Sequence, residues 1–204
     1  MRQFGKHALA AMLSIALVGA TAATASANML VKIGPDGYGV DDKGRRMVAG
    51  YGSQRSYKKI KRKIVDFPGS HSPGTIVINT TERRLYHVVG KGKAMKYGVG
   101  VGREGFQWAG TQRITRKEEW PSWTPPPQMR KRQPGLPRHM VGGPNNPLGA
   151  RALYLGSTLY RIHGTREPWT IGKAVSSGCI RMTNEDVSHL YDQAKKGSKV
   201  IVVR

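Results

Sequence analysis

A single cysteine, Cys179, stands among 204 residues, so no disulfide can form within the chain. Acidic residues are also scarce: 12 Asp and Glu against 34 Lys and Arg leave a formal charge of +22. Such an imbalance argues about partners rather than fold, and it points to polyanions. Zinc-finger, helix-turn-helix and RNP-like patterns are all missing, which argues against nucleic acid as that partner. No cluster of His, Cys, Asp and Glu has metal-ligand spacing, and Cys179 with His163 alone is too few for zinc, so neither a metal nor another cofactor is expected. There is no internal repeat. After the first 27 residues no apolar run approaches the roughly 18 that span a bilayer, so no stable transmembrane anchor is expected.

What is present begins with an address. Arg2, Lys6 and His7 precede an apolar stretch from Ala8 to Ala23 that ends in Ala25-Ser26-Ala27, the pattern of a signal peptide over 1–27, cleaved after Ala27. Removal of Arg2 and Lys6 lowers the formal charge only to +20. The mature chain is then expected in the periplasm or cell envelope, where anionic wall polymers and lipid headgroups would attract it. In that oxidising setting a free thiol is a liability unless it is buried or reactive.

Residues 28–72 read as a basic flexible linker, rich in Gly, Ser, Lys and Arg without apolar period and most charged at Lys58–Lys63. The pattern changes at Pro73. Thr75–Asn79 and Arg84–Val88 are β-rich runs around a turn and predict a hairpin. Ala94–Val101 continues an antiparallel meander, and Ala152–Leu155, Leu159–Ile162 and Val200–Val203 add strands. One helix is predicted, capped by Thr183 or Asn184, with Glu185 and Asp186 in its first turn and Val187, Leu190, Tyr191 and Ala194 at helical spacing. His189 falls off that stripe and is expected at the surface. Trp120–Pro147 holds eight of the twelve prolines with interspersed Trp and Met, which predicts a lid or groove wall rather than a regular element.

An unperturbed thiol, with a pKa of about 8.5, needs a base to act as a nucleophile near neutrality. His163 is the candidate, at the end of Leu159-Tyr160-Arg161-Ile162 and just before Gly164-Thr165. Cys179 follows Ser176-Ser177-Gly178, small residues that let a carbonyl approach and whose turn amides can face an oxyanion. The amides of Gly178 and Cys179 are the expected oxyanion hole. Arg181 offers a fixed charge two residues on, suited to a carboxylate or to the thiolate. Tyr160 and His139 are candidate groove residues, although strand packing and an ordinary loop role account for them as well.

His163-Gly164-Thr165 followed by Ser176-Ser177-Gly178-Cys179-Ile180-Arg181-Met182 resembles the active-site signature of the YkuD-type L,D-transpeptidases. The resemblance spans residues 73–204, including the Trp120 stretch, Asn145–Leu155 and Asn184–Val187. It implies a mostly β fold, a sandwich or barrel-like catalytic domain with one short helix near the C-terminus. It also implies acyl transfer between peptidoglycan stem peptides: Cys179 as nucleophile, His163 as base, Ser176 beside the pair, Ser177 where many relatives carry histidine, and Gly164 and Thr165 beside the groove. A 3-to-3 cross-link and thiol acylation by carbapenems belong to the same implication. Hydrolysis by an L,D-carboxypeptidase and attachment of a lipoprotein use the same thioester, and a non-catalytic basic wall-binding module is the alternative outside enzymes.

Overall fold

The computed structural model describes Tyr57 and residues 59–204, preceded by three two-residue strands, β1 (Lys32–Ile33), β2 (Gly39–Val40) and β3 (Arg46–Met47), that pair antiparallel. The expected signal peptide and most of the expected linker lie outside the described residues. Beyond them the chain is mostly β. In order it forms β4 (Lys63–Asp66), β5 (Ile76–Asn79), β6 (Arg84–Gly90), β7 (Lys93–Gly98), β8 (Val101–Gly102), β9 (Gly110–Glu119), β10 (Arg151–Leu155), β11 (Arg161–His163), β12 (Ala174–Ser176), β13 (Ile180–Arg181) and β14 (Lys199–Val203). Nine of these make one sheet in the order β13-β11-β10-β9-β14-β5-β6-β7-β4, while β8 and β12 pair separately and in parallel.

The expected hairpin is β5–β6, in register from Ile76 opposite His87 to Asn79 opposite Arg84. Its β-branched and aromatic residues alternate between two faces. Ile76, Ile78 and Leu85 enter the main core, whereas Val77 and Tyr86 join Ala94 on the opposite face, covered by Val65 and Phe67. The main core also holds Tyr97 of β7 and Ile180 of β13, strands near opposite ends of the order, so the sheet curls around one interior. Each fully buried Leu or Ile there contributes about 1.5–3 kcal/mol.

The C-terminal helix α2 spans Asn184–Gln193, following α1, described below. Thr183 caps it, its hydroxyl accepting from the Asp186 N–H at 3.1 Å. Val187 and Leu190 are fully buried, and the helix packs against β10 and β11. His189 departs from its expected surface position: it is half-buried, and its Nδ1 lies 2.7 Å from the Tyr97 hydroxyl. A tyrosine buried in the core needs a partner for its hydroxyl, and the helix turn facing β7 supplies one.

Three further departures have physical reasons. The linker expected to run to residue 72 ends earlier, because Lys63–Asp66 pairs antiparallel with β7 and the preceding Lys59 and Arg62 form ion pairs with Glu185 and with Glu185 and Asp186. Backbone pairing and ion pairs hold a charged run that has no apolar period of its own. Strand β9 is polar and buries only Ile114 completely, so alternation did not reveal it. The second helix, α1 (Pro127–Arg132), lies inside the proline-rich segment, where Pro127 stands at the start and proline needs no N–H partner.

Candidate active site

Strand β11 presents alternate residues to two sides. Ile162 is buried in the core, while Arg161 and His163, two apart, face a cavity of about 950 Å³. Strand β13 runs parallel to it with Ile162 opposite Ile180 and His163 opposite Arg181. Cys179 is therefore delivered one residue ahead of the pairing, next to Arg161, and it opens into the same cavity. Fifteen residues of chain lie between His163 and Cys179, and two adjacent strands close that separation. The backbone around His163 is pinned: its carbonyl accepts from Met182 N at 2.8 Å, and Gly164 N donates to Arg151 O at 3.0 Å.

The His163 side chain is buried, and its Nδ1 donates to the Gly164 carbonyl at 2.5 Å. A carbonyl can only accept, so this contact puts the proton on Nδ1 and makes Nε2 the lone-pair nitrogen of the neutral ring. Burial, assisted by the Arg181 guanidinium, pushes the His163 pKa down to about 3 against the opposing backbone bonds to Gly164 and Leu148. Cys179 is half-buried, with its Sγ 3.7 Å from the Leu159 carbonyl. Burial raises its pKa, and the charges of Arg161 and Arg181 offset part of the rise. Both directions favour a neutral thiol beside a neutral imidazole over a preformed ion pair.

The same histidine carries a stability consequence. Its folded pKa lies below the unfolded value of 6.5, so its contribution is full above pH 6.5 and is lost as pH falls toward about 3. Acidification from pH 7 to pH 5 is expected to remove about 2 kcal/mol through His163. His87 and His189 are also lowered by burial and act in the same direction. Thermal unfolding at the two pH values checks this, and an equal or higher melting temperature at pH 5 would contradict it.

The turn before Cys179 is held from both sides. Ser176, buried, donates from its hydroxyl to the Cys179 carbonyl at 2.6 Å and accepts from the Gly178 N–H at 3.1 Å. Trp108 donates from Nε1 to the Gly178 carbonyl at 2.8 Å and stacks on Tyr160 with centroids 4.5 Å apart and planes 4° from parallel. Gly178 has φ +106°, and a Cβ there would lie 2.5 Å from Tyr160 Cε1, so only glycine lets the aromatic pair close on the turn.

The expected roles divide accordingly. Tyr160, Ser176, Ser177 and Arg181 line the cavity with Cys179 and His163. The Gly178 amide is engaged by Ser176, which leaves the Cys179 amide, with no acceptor among the described residues, as the candidate oxyanion donor. Arg181 is bound by the Glu167 carboxylate at 3.0 Å, and Ser177 accepts from Arg103 at 3.3 Å. Gly164 and Thr165 do not line the groove as expected; they pack behind His163, against the Asn184 carboxamide. Of the two readings of His139 the structure favours the ordinary loop role over the groove: it is exposed, bonds Thr124 at 3.0 Å and stays off the cavity wall. The proline-rich segment does form a wall, with Trp123 and Met140 bonded N–H to carbonyl in both directions at 2.8 Å across its base.

Trp108, Arg103, Arg161 and Glu167 also shape the site, and no sequence motif marks them. Arg161 was findable, since a residue two before His163 on a strand shares its face. Trp108 carried no local signal. Among the described residues no group of three or more His, Cys, Asp and Glu could hold a metal ion.

Residues 73–202 match the YkuD family, the L,D-transpeptidase catalytic domain. The Escherichia coli K12 protein named Probable L,D-transpeptidase ErfK/SrfK is 39% identical over 137 residues, covering 63% of this chain and 43% of its own. This chain thus spans less than half the length of the curated relatives it matches first. The catalytic domain of the Enterococcus faecium L,D-transpeptidase, solved by NMR, is 18% identical with a TM-score of 0.50 over 63% of this chain and 95% of its own, a likeness of fold. A Brucella melitensis structure described as a probable carnitine operon oxidoreductase is 45% identical over 72% of this chain and 95% of its own, with a TM-score of 0.49.

Proposed function

The chain belongs to the YkuD family of L,D-transpeptidase catalytic domains, and on that premise we propose that it is an exported peptidoglycan L,D-transpeptidase that forms 3-to-3 cross-links through a thioester on Cys179. The observation that carries this reading is the convergence on one cavity of the thiol and an imidazole protonated on Nδ1. Nε2 of His163 removes the thiol proton as Sγ attacks the carbonyl of the third residue of a stem tetrapeptide. The Cys179 amide takes the oxyanion, and losing such a donor typically costs about 2.7–4 kcal/mol. Collapse breaks the peptide bond to the terminal D-alanine, whose amine leaves with the proton from Nε2. The side-chain amine of a diamino acid on a second stem then attacks the thioester, giving up a proton and restoring the thiol.

The cavity wall supports a carboxylate-bearing donor. Arg103, Arg132, Arg161, Arg166 and Arg181 line it against one carboxylate, Glu167, which already binds Arg181. That leaves Arg161, beside the thiol, better suited than Arg181 to a stem-peptide carboxylate. Among the described residues no helix is long and apolar enough to cross a membrane. The positive charge of the whole chain is suited to holding the enzyme near anionic envelope polymers.

The test is mass spectrometry of disaccharide-tetrapeptides incubated with the protein. Dimers joined 3-to-3, with loss of D-alanine, are the expected product. Tripeptide alone would replace transpeptidation by hydrolysis or by an acceptor not supplied, such as a lipoprotein. Unchanged tetrapeptide would overturn the donor assignment.

A further inference from the structure

Behind His163 a buried carboxamide holds the peptide that orients the imidazole. Asn184, the first residue of α2, is 3% exposed, and a polar group so buried requires partners. Its Oδ1 accepts from two backbone amides, Ala150 N at 3.0 Å and Thr165 N at 3.1 Å. Two N–H donors on one atom identify that atom as the oxygen. The Thr165 N–H belongs to the same planar peptide unit as the Gly164 carbonyl, and that carbonyl accepts the His163 Nδ1 proton. One rigid plane is thus held at its N–H by Asn184 and holds the imidazole at its C=O.

The chain makes room for this contact. A Cβ on Gly164 or on Gly149 would lie 2.2 Å from Asn184 Oδ1, and at Gly149, with φ +65°, it would also meet Thr165 N at 2.6 Å. Two glycines flank the carboxamide, so backbone from two loops closes on it without side chains.

We propose that Asn184 is a positioning residue for the reaction, setting the tautomer and direction of His163 through the Gly164–Thr165 peptide; its catalytic consequence rests on the function proposed above. Without an acceptor at 184 the peptide is free to tilt, the Nδ1–H···O bond loosens, and the proton redistributes between the ring nitrogens. Nε2 then carries a proton part of the time and cannot accept the one from the thiol.

The experiment uses the whole chain labelled with 15N-histidine, with the His163 signals assigned by their loss in His163→Gln. In the parent protein Nδ1 is expected to show a pyrrole-type shift and Nε2 a pyridine-type shift. Asn184→Leu, close in size and lacking an acceptor, is expected to give intermediate shifts at both nitrogens, and Asn184→Asp, which keeps the oxygen, to restore the parent pattern. Asn184→Ser, too short to span both amides, provides the same readout should the leucine variant not fold. On tetrapeptide, kcat is expected to fall by up to about 100-fold with KM little changed. Parent shifts and a kcat within twofold in a folded Asn184→Leu or Asn184→Ser variant would overturn the inference. A parent protein inactive on tetrapeptide whose tautomer still responds to Asn184 would leave the positioning role standing and overturn the proposed function instead.

Discussion

Cys179→Ala is expected to eliminate both product classes, dimer and tripeptide, while the protein remains folded. Loss of a nucleophile that acts with a histidine has cost on the order of 10⁶ in kcat in the serine-protease case, and no second cysteine exists to substitute. The fold should tolerate the change because Cys179 is half-buried on the cavity wall and its thiol contacts, a long one to the Leu159 carbonyl and those to Arg161, are weak sulfur hydrogen bonds. The turn itself is held by Ser176 and Trp108, neither of which bonds the thiol. Circular dichroism and a melting curve beside the product assay separate the two effects. A carbapenem gives a second readout: the parent protein should gain its mass and the variant should not. A variant that still gained that mass would remove Cys179 from the role assigned to it.

The second large effect is expected in the pH dependence of thiol alkylation. Burial holds the Cys179 pKa above its ordinary value, and His163, lowered to about 3, is neutral throughout the accessible range. The thiolate fraction should then rise about tenfold per pH unit, roughly 10³-fold between pH 6 and pH 9. A preformed thiolate–imidazolium pair behaves differently, giving a reactive plateau that extends well below pH 7. Iodoacetamide kinetics read by intact mass decide between them, and a rate that stayed flat from pH 5 to pH 7 would show that the ion pair exists in the resting protein. The neutral pair suits the proposed reaction, since the proton need move only when a carbonyl arrives and the charge it creates is met by Arg161 and the Cys179 amide.

The parts legible in the sequence are those with short-range causes. Thr183 with Asp186 three residues later marks a helix start, and the cap bond is there. Consecutive β-branched and aromatic residues reveal β5 and β6 because both faces of each are covered. The Cys179 and His163 neighbourhoods are equally local. What was missed depends on partners far along the chain. Lys59 and Arg62 look like solvated charge until Glu185 and Asp186 are brought to them. Arg181 looks like a free cation until Glu167 is found against it. Trp108 supports the turn from seventy residues away, and nothing near it in sequence says so. The two glycines around Asn184 illustrate the same limit, because a close approach is a property of two segments rather than one.

Strand β4 bears on how the sheet edge is protected from pairing with a second molecule. It covers the outer edge of β7, and as the last strand in the order it carries Lys63 and Asp66 with an almost wholly exposed face. Edge strands bearing charge resist pairing with a neighbouring molecule, whereas an uncovered edge is a template for it. The family match begins ten residues later, at position 73. A chain trimmed to the matched residues would keep every group around Cys179 yet lay bare the backbone of Lys93–Gly98, and its failure would be self-association rather than lost chemistry.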